Sequence, residues 1–306
     1  MKRNILLLFT FFACITVQGQ TPVRLVDLRS EHLDRPIGLD NPVPRLSWRM
    51  EDGRQGAVQT SWRIVVDEDS LNVVNGCGRM WDSGKNDSRN QLVAYAGKKL
   101  QPFTRYYWKV ICSDMEYKET ASPVSYFETG MMGMQHWQGA WIGDGKDIHY
   151  GPAPYFRKEF KTGKKVKSAR AYIAAAGLYE LYINGEKIGD HCLAPLYTRF
   201  DRRNLYVAYD VTSQLQNGDN AIGVLLGNGW YNHQSKAVWD FDRAPWRNRP
   251  TFCLDLRITY TDGSVETIPT DLSWRTASVQ SLLIVSILAS TTMHVWSRRM
   301  EHSGIR

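Results

Sequence analysis

The sequence predicts an all-β protein built as two consecutive β-sandwiches, and three observations carry that prediction. From Pro22 to Gly130, short runs rich in Val, Ile, Tyr and Trp recur between turn residues at intervals of roughly 8 to 12, the rhythm of an immunoglobulin or fibronectin type III sandwich. Ala171 to Asp190 then holds two apolar runs and a turn in succession. Tyr179, Leu181 and Ile183 alternate with Glu180 and Tyr182, as in a strand with one face on a core. Asn184-Gly185 supplies the two positive-φ residues of a tight type I′ hairpin. The third observation is that neither half contains a long amphipathic helical pattern.

Size and charge bound the function. A chain of 306 residues with 43% apolar content has room for two domains with real cores. The net charge of +7 is concentrated at the ends: Lys2, Arg3 and the excess of arginines in the last 35 residues account for five of those charges. The body is therefore nearly neutral, and nucleic acid is excluded as an expected partner. Eleven Trp and fifteen Tyr exceed what a core of this size needs, and exposed rings stack on the apolar faces of sugars.

The first-domain runs are Val23 to Leu28, Arg45 to Met50, Ser61 to Asp67, Arg79 to Ser83, Gln91 to Ala94, Thr104 to Ser113 and Val124 to Glu128. In the sixth, Tyr106, Trp108 and Val110 fall on one face, which is expected to be core. In the second domain the runs are Pro154 to Phe160, Lys167 to Ala176, Leu178 to Ile183, Leu205 to Asp210, Asn220 to Leu226, Thr251 to Tyr260 and Val265 to Pro269. Thr261-Asp-Gly263 is a second hairpin signal, and Val211 to Leu215 reads as a single helical turn.

The strongest functional candidate is Leu226-Gly-Asn-Gly-Trp-Tyr231 together with Trp239-Asp-Phe-Asp242 and Trp246. Glycines on both sides of Asn228 permit unusual backbone angles and close approach. Trp230, Tyr231, Trp239 and Trp246 can form a ring platform, with Asp240 and Asp242 as hydroxyl acceptors, the chemistry of a carbohydrate-binding surface. The bland alternative is a loop that packs aromatics onto another domain. Glycoside hydrolysis needs two carboxyl groups facing each other across the scissile bond. Asp240 and Asp242, read as neighbours on an extended segment, point the same way, so no catalytic residue is assigned. His149, His191, His233 and Ser235 show no triad or metal spacing, and no metal or cofactor is expected.

Several stretches also resemble a known family. Ala171 to Asp190 is similar to the second β-sandwich of the bacterial family-78 glycoside hydrolases, the α-L-rhamnosidases. Asn41-Pro-Val-Pro-Arg-Leu-Ser-Trp48, Tyr107-Trp-Lys-Val110 and Ser125-Tyr-Phe-Glu-Thr-Gly130 resemble the family's N-terminal domain in the same order. Trp137-Gln-Gly-Ala-Trp-Ile-Gly143 resembles the opening of its second domain, which places the domains at 22–130 and 137–278, an immunoglobulin-like sandwich followed by a jelly-roll-like one. Leu193-Ala-Pro-Leu-Tyr197 and Asp201 are family-like and structural in character. The resemblance implies hydrolysis of terminal α-L-rhamnose from rhamnose-containing poly- or oligosaccharides. It also implies that the catalytic carboxylates sit on a helical (α/α)₆ barrel, an intramolecular partner of which no residue matches here. The Gly-Asn-Gly-Trp-Tyr loop resembles one near the substrate end of that barrel.

The ends and the cysteines complete the reading. Met1 to Gly19 has a basic start, an apolar run from Ile5 to Ala13 and small residues around a cleavage point, the layout of a secretory signal peptide; export to the periplasm or beyond is expected, with a lipoprotein through Cys14 the weaker reading. Cys77, Cys112, Cys192 and Cys253 allow three disulfide pairings, and buried free thiols are the default. Leu272 to Met300 contains no acidic residue, and the resemblance stops near Ser278. Residues 279–306 are therefore read as an aberrant tail, as a frameshift would produce. Three functions are carried forward: the non-catalytic β-portion of an exported α-L-rhamnosidase, a stand-alone carbohydrate-binding or adhesion module, and an inactive truncated fragment.

Overall fold

The computed structural model of the protein describes residues 22–234 and 238–279. The expected signal peptide at 1–19, Ser235 and nearly all of the 279–306 tail thus lie outside the described residues. Two compact units emerge. One takes in the chain up to Arg35, Val43–Lys99 and Tyr106–Phe127; the other takes in Pro36–Pro42, Leu100–Arg105 and the chain from Glu128 onward.

The first unit is a two-sheet sandwich. Strands β1 (Arg24–Ser30), β2 (Arg45–Glu51) and β5 (Leu92–Ala94) form one antiparallel sheet. β3 (Ser61–Asp67), β4 (Trp81–Asp82), β6 (Arg105–Ser113), β7 (Glu119–Ala121) and β8 (Ser125–Glu128) form the other. Tyr106, Trp108 and Val110 are fully buried, as the alternation of β6 requires, and Trp48 of β2 meets Trp62 of β3 edge-on at 6.2 Å. The sequence pattern misses α1 (Ser70–Val74), because five residues give no helical period. That single turn is capped by the Asp69 side chain, which accepts from Leu71 N at 2.9 Å. Beneath it the buried Asp67 carboxylate accepts from Arg79 Nη2 at 2.8 Å and Asp69 N at 2.9 Å, and the Arg79 guanidinium holds that carboxyl well below its ordinary range.

The second unit carries β9 (Ala153–Thr162), β10 (Val166–Ala176), β11 (Leu178–Ile183), β12 (Glu186–Lys187), β13 (Tyr206–Asp210), β14 (Gly218–Gly227), β15 (Thr251–Tyr260), β16 (Val265–Pro269) and β17 (Arg275–Val279). One sheet has the order β13-β10-β15-β16 and the other β12-β11-β14-β9-β17. Between them lies a single core. Ala169, Ala171, Ile173 and Ala175 of β10 and Leu254, Leu256 and Ile258 of β15 face Tyr179, Leu181 and Ile183 of β11 and Ile222, Val224 and Leu226 of β14. Asn184 and Gly185 take φ of 51° and 87° and close the β11–β12 hairpin as their identity requires.

Two expectations are corrected here. β11 is buried on both faces, not one: Glu180 and Tyr182 are sealed as well, because the Glu180 carboxylate accepts from Tyr182 Oη at 2.5 Å and pairs with Lys187. Polar identity misled because a buried acid is tolerated when its oxygens are bonded. β17 has no apolar alternation to mark it, since it is an edge strand held by its ladder to β9.

Outward-facing residues of the β13-β10-β15 sheet are covered within the same unit. The buried Arg170 guanidinium donates to both oxygens of Glu128, Nε to Oε1 at 2.7 Å and Nη2 to Oε2 at 3.0 Å. Tyr206 Oη donates to Asp40 Oδ1 at 2.7 Å and accepts from Met131 N at 3.0 Å. Asp255 accepts from Gln138 N and Gly139 N at 2.9 and 2.8 Å. Phe103 packs on Tyr172, and the Arg257 guanidinium lies 4.4 Å above its ring.

Strand register sorts the connections to the two ends of this sandwich. Ala176 pairs with Thr251, Leu178 with Gly227, Tyr155 with Leu225 and Ala153 with Val279, so all of these meet at one end. Thr162 pairs with Gly218 at the opposite end, about 30 Å away by strand rise over the ten residues of β9.

All four described cysteines are free. Cys112 and Cys253 are buried as expected, and burial pushes both thiols up to about 12. Cys77 and Cys192 are exposed, which corrects the default for those two. A thiol reagent followed by peptide mapping is therefore expected to modify Cys77 and Cys192 in the native protein, and Cys112 and Cys253 only after denaturation. Glu128→Ala should destabilise the second unit by about 1.5 to 3 kcal/mol in denaturant titrations, because it removes the bidentate partner of the buried Arg170 and leaves Asp210, at 2.8 Å, as its remaining carboxylate.

Candidate functional site

The candidate loop, 228–250, leaves β14 and re-enters at β15, at the end of the sandwich where Gly177 links β10 to β11. Its first turn is tight. Gly229 has φ +49°, and a Cβ there would sit 2.9 Å from Leu178 Cγ, so the left-handed backbone and the close approach both call for glycine. Asn228 is half-buried and accepts twice from Asn232, at its carbonyl from the backbone N at 3.1 Å and at Oδ1 from Nδ2 at 3.3 Å. Its side chain thus shapes the loop.

Asn232 is the pivot, and it is fully buried. Its Nδ2 donates to the Ile148 carbonyl at 2.9 Å and its Oδ1 accepts from Arg247 Nε at 3.1 Å, which ties the loop to the neighbouring segment 144–152. Arg249 makes a second tie. Its guanidinium, sealed from solvent, donates to Asp144 Oδ2 at 2.8 Å and to the Tyr150 carbonyl at 2.7 Å. The sequence reading missed both residues; a buried Arg in a loop becomes visible only when its carbonyl and carboxylate partners are placed.

The rings interlock around Phe241, another residue the sequence reading left unassigned. Trp230 lies between His233, at 5.3 Å, and Phe241, at 5.4 Å; Trp246 meets Phe241 at 6.1 Å, and Tyr197 meets it at 5.7 Å. Tyr231 packs on Phe200 at 5.1 Å, and burial raises its phenol above the ordinary value. Trp230, Tyr231 and Trp246 are each half-buried, whereas the Trp239 side chain lies outside the described residues. Two of the four candidate rings, Trp230 and Trp246, therefore stand against one buried phenyl, a third, Tyr231, stands against Phe200, and all three remain half-exposed.

The two carboxylates are arranged differently from the extended segment expected. Val238–Arg243 is a 3₁₀ helix, in which residues two apart are turned about 240° from one another. Asp240 is exposed with φ +53°, and Asp242 is partly buried, with Oδ1 inaccessible and without a hydrogen-bond partner among the described residues. A short alternation of Trp, Asp, Phe and Asp imitates a strand, but among the described residues no strand pairs with it, and Phe241 is buried in the cluster instead. Asp240 and Asp242 therefore do not face one another across a gap. Asp144 is neutralised by Arg249, and Asp201 by Arg199 at 2.9 Å.

Of the histidines, His149 is exposed, His191 Nδ1 lies 3.3 Å from Tyr209 Oη, and His233 is buried against Trp230. No three His, Cys, Asp or Glu side chains converge as a metal-ligand set among the described residues. Phe241→Ala should lower stability by about 3 to 5 kcal/mol and weaken near-ultraviolet circular dichroism, since it removes the ring on which Trp230, Trp246 and Tyr197 pack.

Comparison with known proteins places this architecture. Residues 25–133 match the Rha78A-like N-terminal immunoglobulin domain, and residues 164–289 match the α-L-rhamnosidase N-terminal domain, a match that runs past Ser278. An α-L-rhamnosidase of Formosa agariphila is 32% identical over 300 residues, covering 89% of this chain and 32% of its own. The structure of an α-L-rhamnosidase from Dictyoglumus thermophilum superposes with a TM-score of 0.75 at 37% identity, over 83% of this chain and 30% of that one. One from Aspergillus terreus gives 0.74 at 27% identity, over 84% and 30%. The chain thus spans about a third of the length of the relatives it matches. The chain carries two domains found at the N-terminus of α-L-rhamnosidases, the Rha78A-like N-terminal immunoglobulin domain followed by the α-L-rhamnosidase N-terminal domain.

Proposed function

We propose that this chain is the N-terminal, non-catalytic β-portion of an exported α-L-rhamnosidase, with domains at 22–130 and 137–278, that helps to present rhamnose-containing glycans to a helical catalytic barrel. The observation that carries this reading is the pairing of two rhamnosidase N-terminal domains, in order, with a loop whose two free carboxylates do not oppose each other. Hydrolysis with inversion or retention needs such opposition. The half-exposed rings of Trp230, Tyr231 and Trp246, with Asp240 in solvent and Asn228 shaping the turn, suit contact with sugar hydroxyls and C–H faces at a rim. Export rests on the basic, apolar and small-residue order of Met1 to Gly19. A second reading, a stand-alone carbohydrate-binding module, is favoured by the same half-exposed rings.

The 306-residue chain alone is expected to release no phenol from an aryl α-L-rhamnoside; turnover above a boiled control would refute the non-catalytic assignment. Rhamnoside affinity measured by calorimetry on the same chain, abolished by Trp230→Ala while its thermal unfolding stays cooperative, would favour the binding module.

A further inference from the structure

The end of the second sandwich that carries the candidate loop is unusually apolar on its outside. Trp141 is 43% exposed, Leu193 49%, Leu196 76% and Tyr197 47%. Leu193 and Leu196 flank Ala194-Pro195 on a loop whose Ala194 carbonyl accepts from Tyr179 N at 3.0 Å, at the start of β11, so they stand at the end where Leu178 pairs with Gly227. Trp141 joins them there, because its neighbour Ile142 bridges to Phe252 at the start of β15. The turns of the opposite end, 163–165, 184–185 and 261–263, hold Gly, Lys, Asn, Thr and Asp instead.

Two further observations concern the same end. The ring of Tyr197 is backed by Phe200 at 5.8 Å and Phe241 at 5.7 Å, so the exposed side chains rest on a fixed floor, and in that cluster Asp242 Oδ1 and Trp246 Nε1 are buried without hydrogen-bond partners among the described residues. Both features suit a surface that another element completes. The last ladder pair of β17, Val279 with Ala153, also lies at this end, so the polypeptide that follows β17 starts beside the apolar face. In the curated relatives about two-thirds of the chain lies outside the part matched here.

We infer that Leu193, Leu196, Tyr197 and Trp141 form an intramolecular seat for the polypeptide that follows the second sandwich in a full-length enzyme. This rests on the reading of the chain as a rhamnosidase N-terminal portion, and it assigns the partner of that loop end. Tethering through β17 makes the contact effectively unimolecular, so a modest apolar area suffices where a separate protein would need a standard interface. The candidate rim at Trp230 is thereby held beside whatever the following polypeptide contributes.

Hydroxyl-radical footprinting tests this on the 306-residue chain alone and on the same chain joined in place of the segment it matches in the Formosa agariphila relative. Labelling of Leu193, Leu196 and Tyr197 is expected to fall at least about five-fold in the joined protein, as interface-core side chains lose solvent, while Val265 at the other end is unchanged. Equal labelling in the two proteins overturns the inference. So does concentration-dependent protection in the free chain, which would make the occupant a second copy, or aggregation of the joined protein while the free chain stays soluble. Turnover of an aryl α-L-rhamnoside by the joined protein is read separately: protection without turnover keeps the seat and removes the functional reading, and turnover without protection does the reverse.

Discussion

The second unit depends on covering a sheet whose outer face is not polar enough to meet water. Arg170, Tyr172 and Tyr206 project from it, and Arg170 is buried although charged. Such a charge is tolerable only when paired, by Glu128 through two bonds and by Asp210 at 2.8 Å; Asp40 and Met131 satisfy the Tyr206 hydroxyl. The second unit consequently recruits Pro36–Pro42, Leu100–Arg105 and Glu128 from stretches that precede its own strands in sequence. Folding of the later strands is therefore tied to chain made much earlier.

The loop end follows a different rule. Among the described residues of 228–250 no strand ladder forms, so order there comes from side chains that satisfy carbonyls, Asn232 toward Ile148 and Arg249 toward Tyr150, and from rings that pack around Phe241. Polar ties fix the backbone, and aromatic packing fixes what it displays.

Most of the fold was legible because it rests on period-two alternation. β3, β11, β15 and β16 were bounded to the residue, and the Asn184-Gly185 turn announced its own backbone. What escaped notice was structure set by pairing or by partners: β7 and β17 as edge strands, α1 as a single capped turn, and the second buried face of β11. The site was less legible. Asn228, Trp230, Tyr231 and Trp246 do fall within one loop, but Phe241, Asn232, Arg247 and Arg249, which organise it, carry no spacing signal, and the 3₁₀ turn at Val238–Arg243 hid behind a four-residue alternation. Short patterns cannot separate a strand from a tight helix; only the neighbours decide.

The thiols offer an experimental handle of another kind. Among the described residues one accessible cysteine, Cys77, belongs to the first compact unit and the other, Cys192, to the second, with neither engaged in a bridge. A donor and an acceptor dye, or two spin labels, can therefore be attached without altering the sequence, giving a native molecular ruler between the two sandwiches.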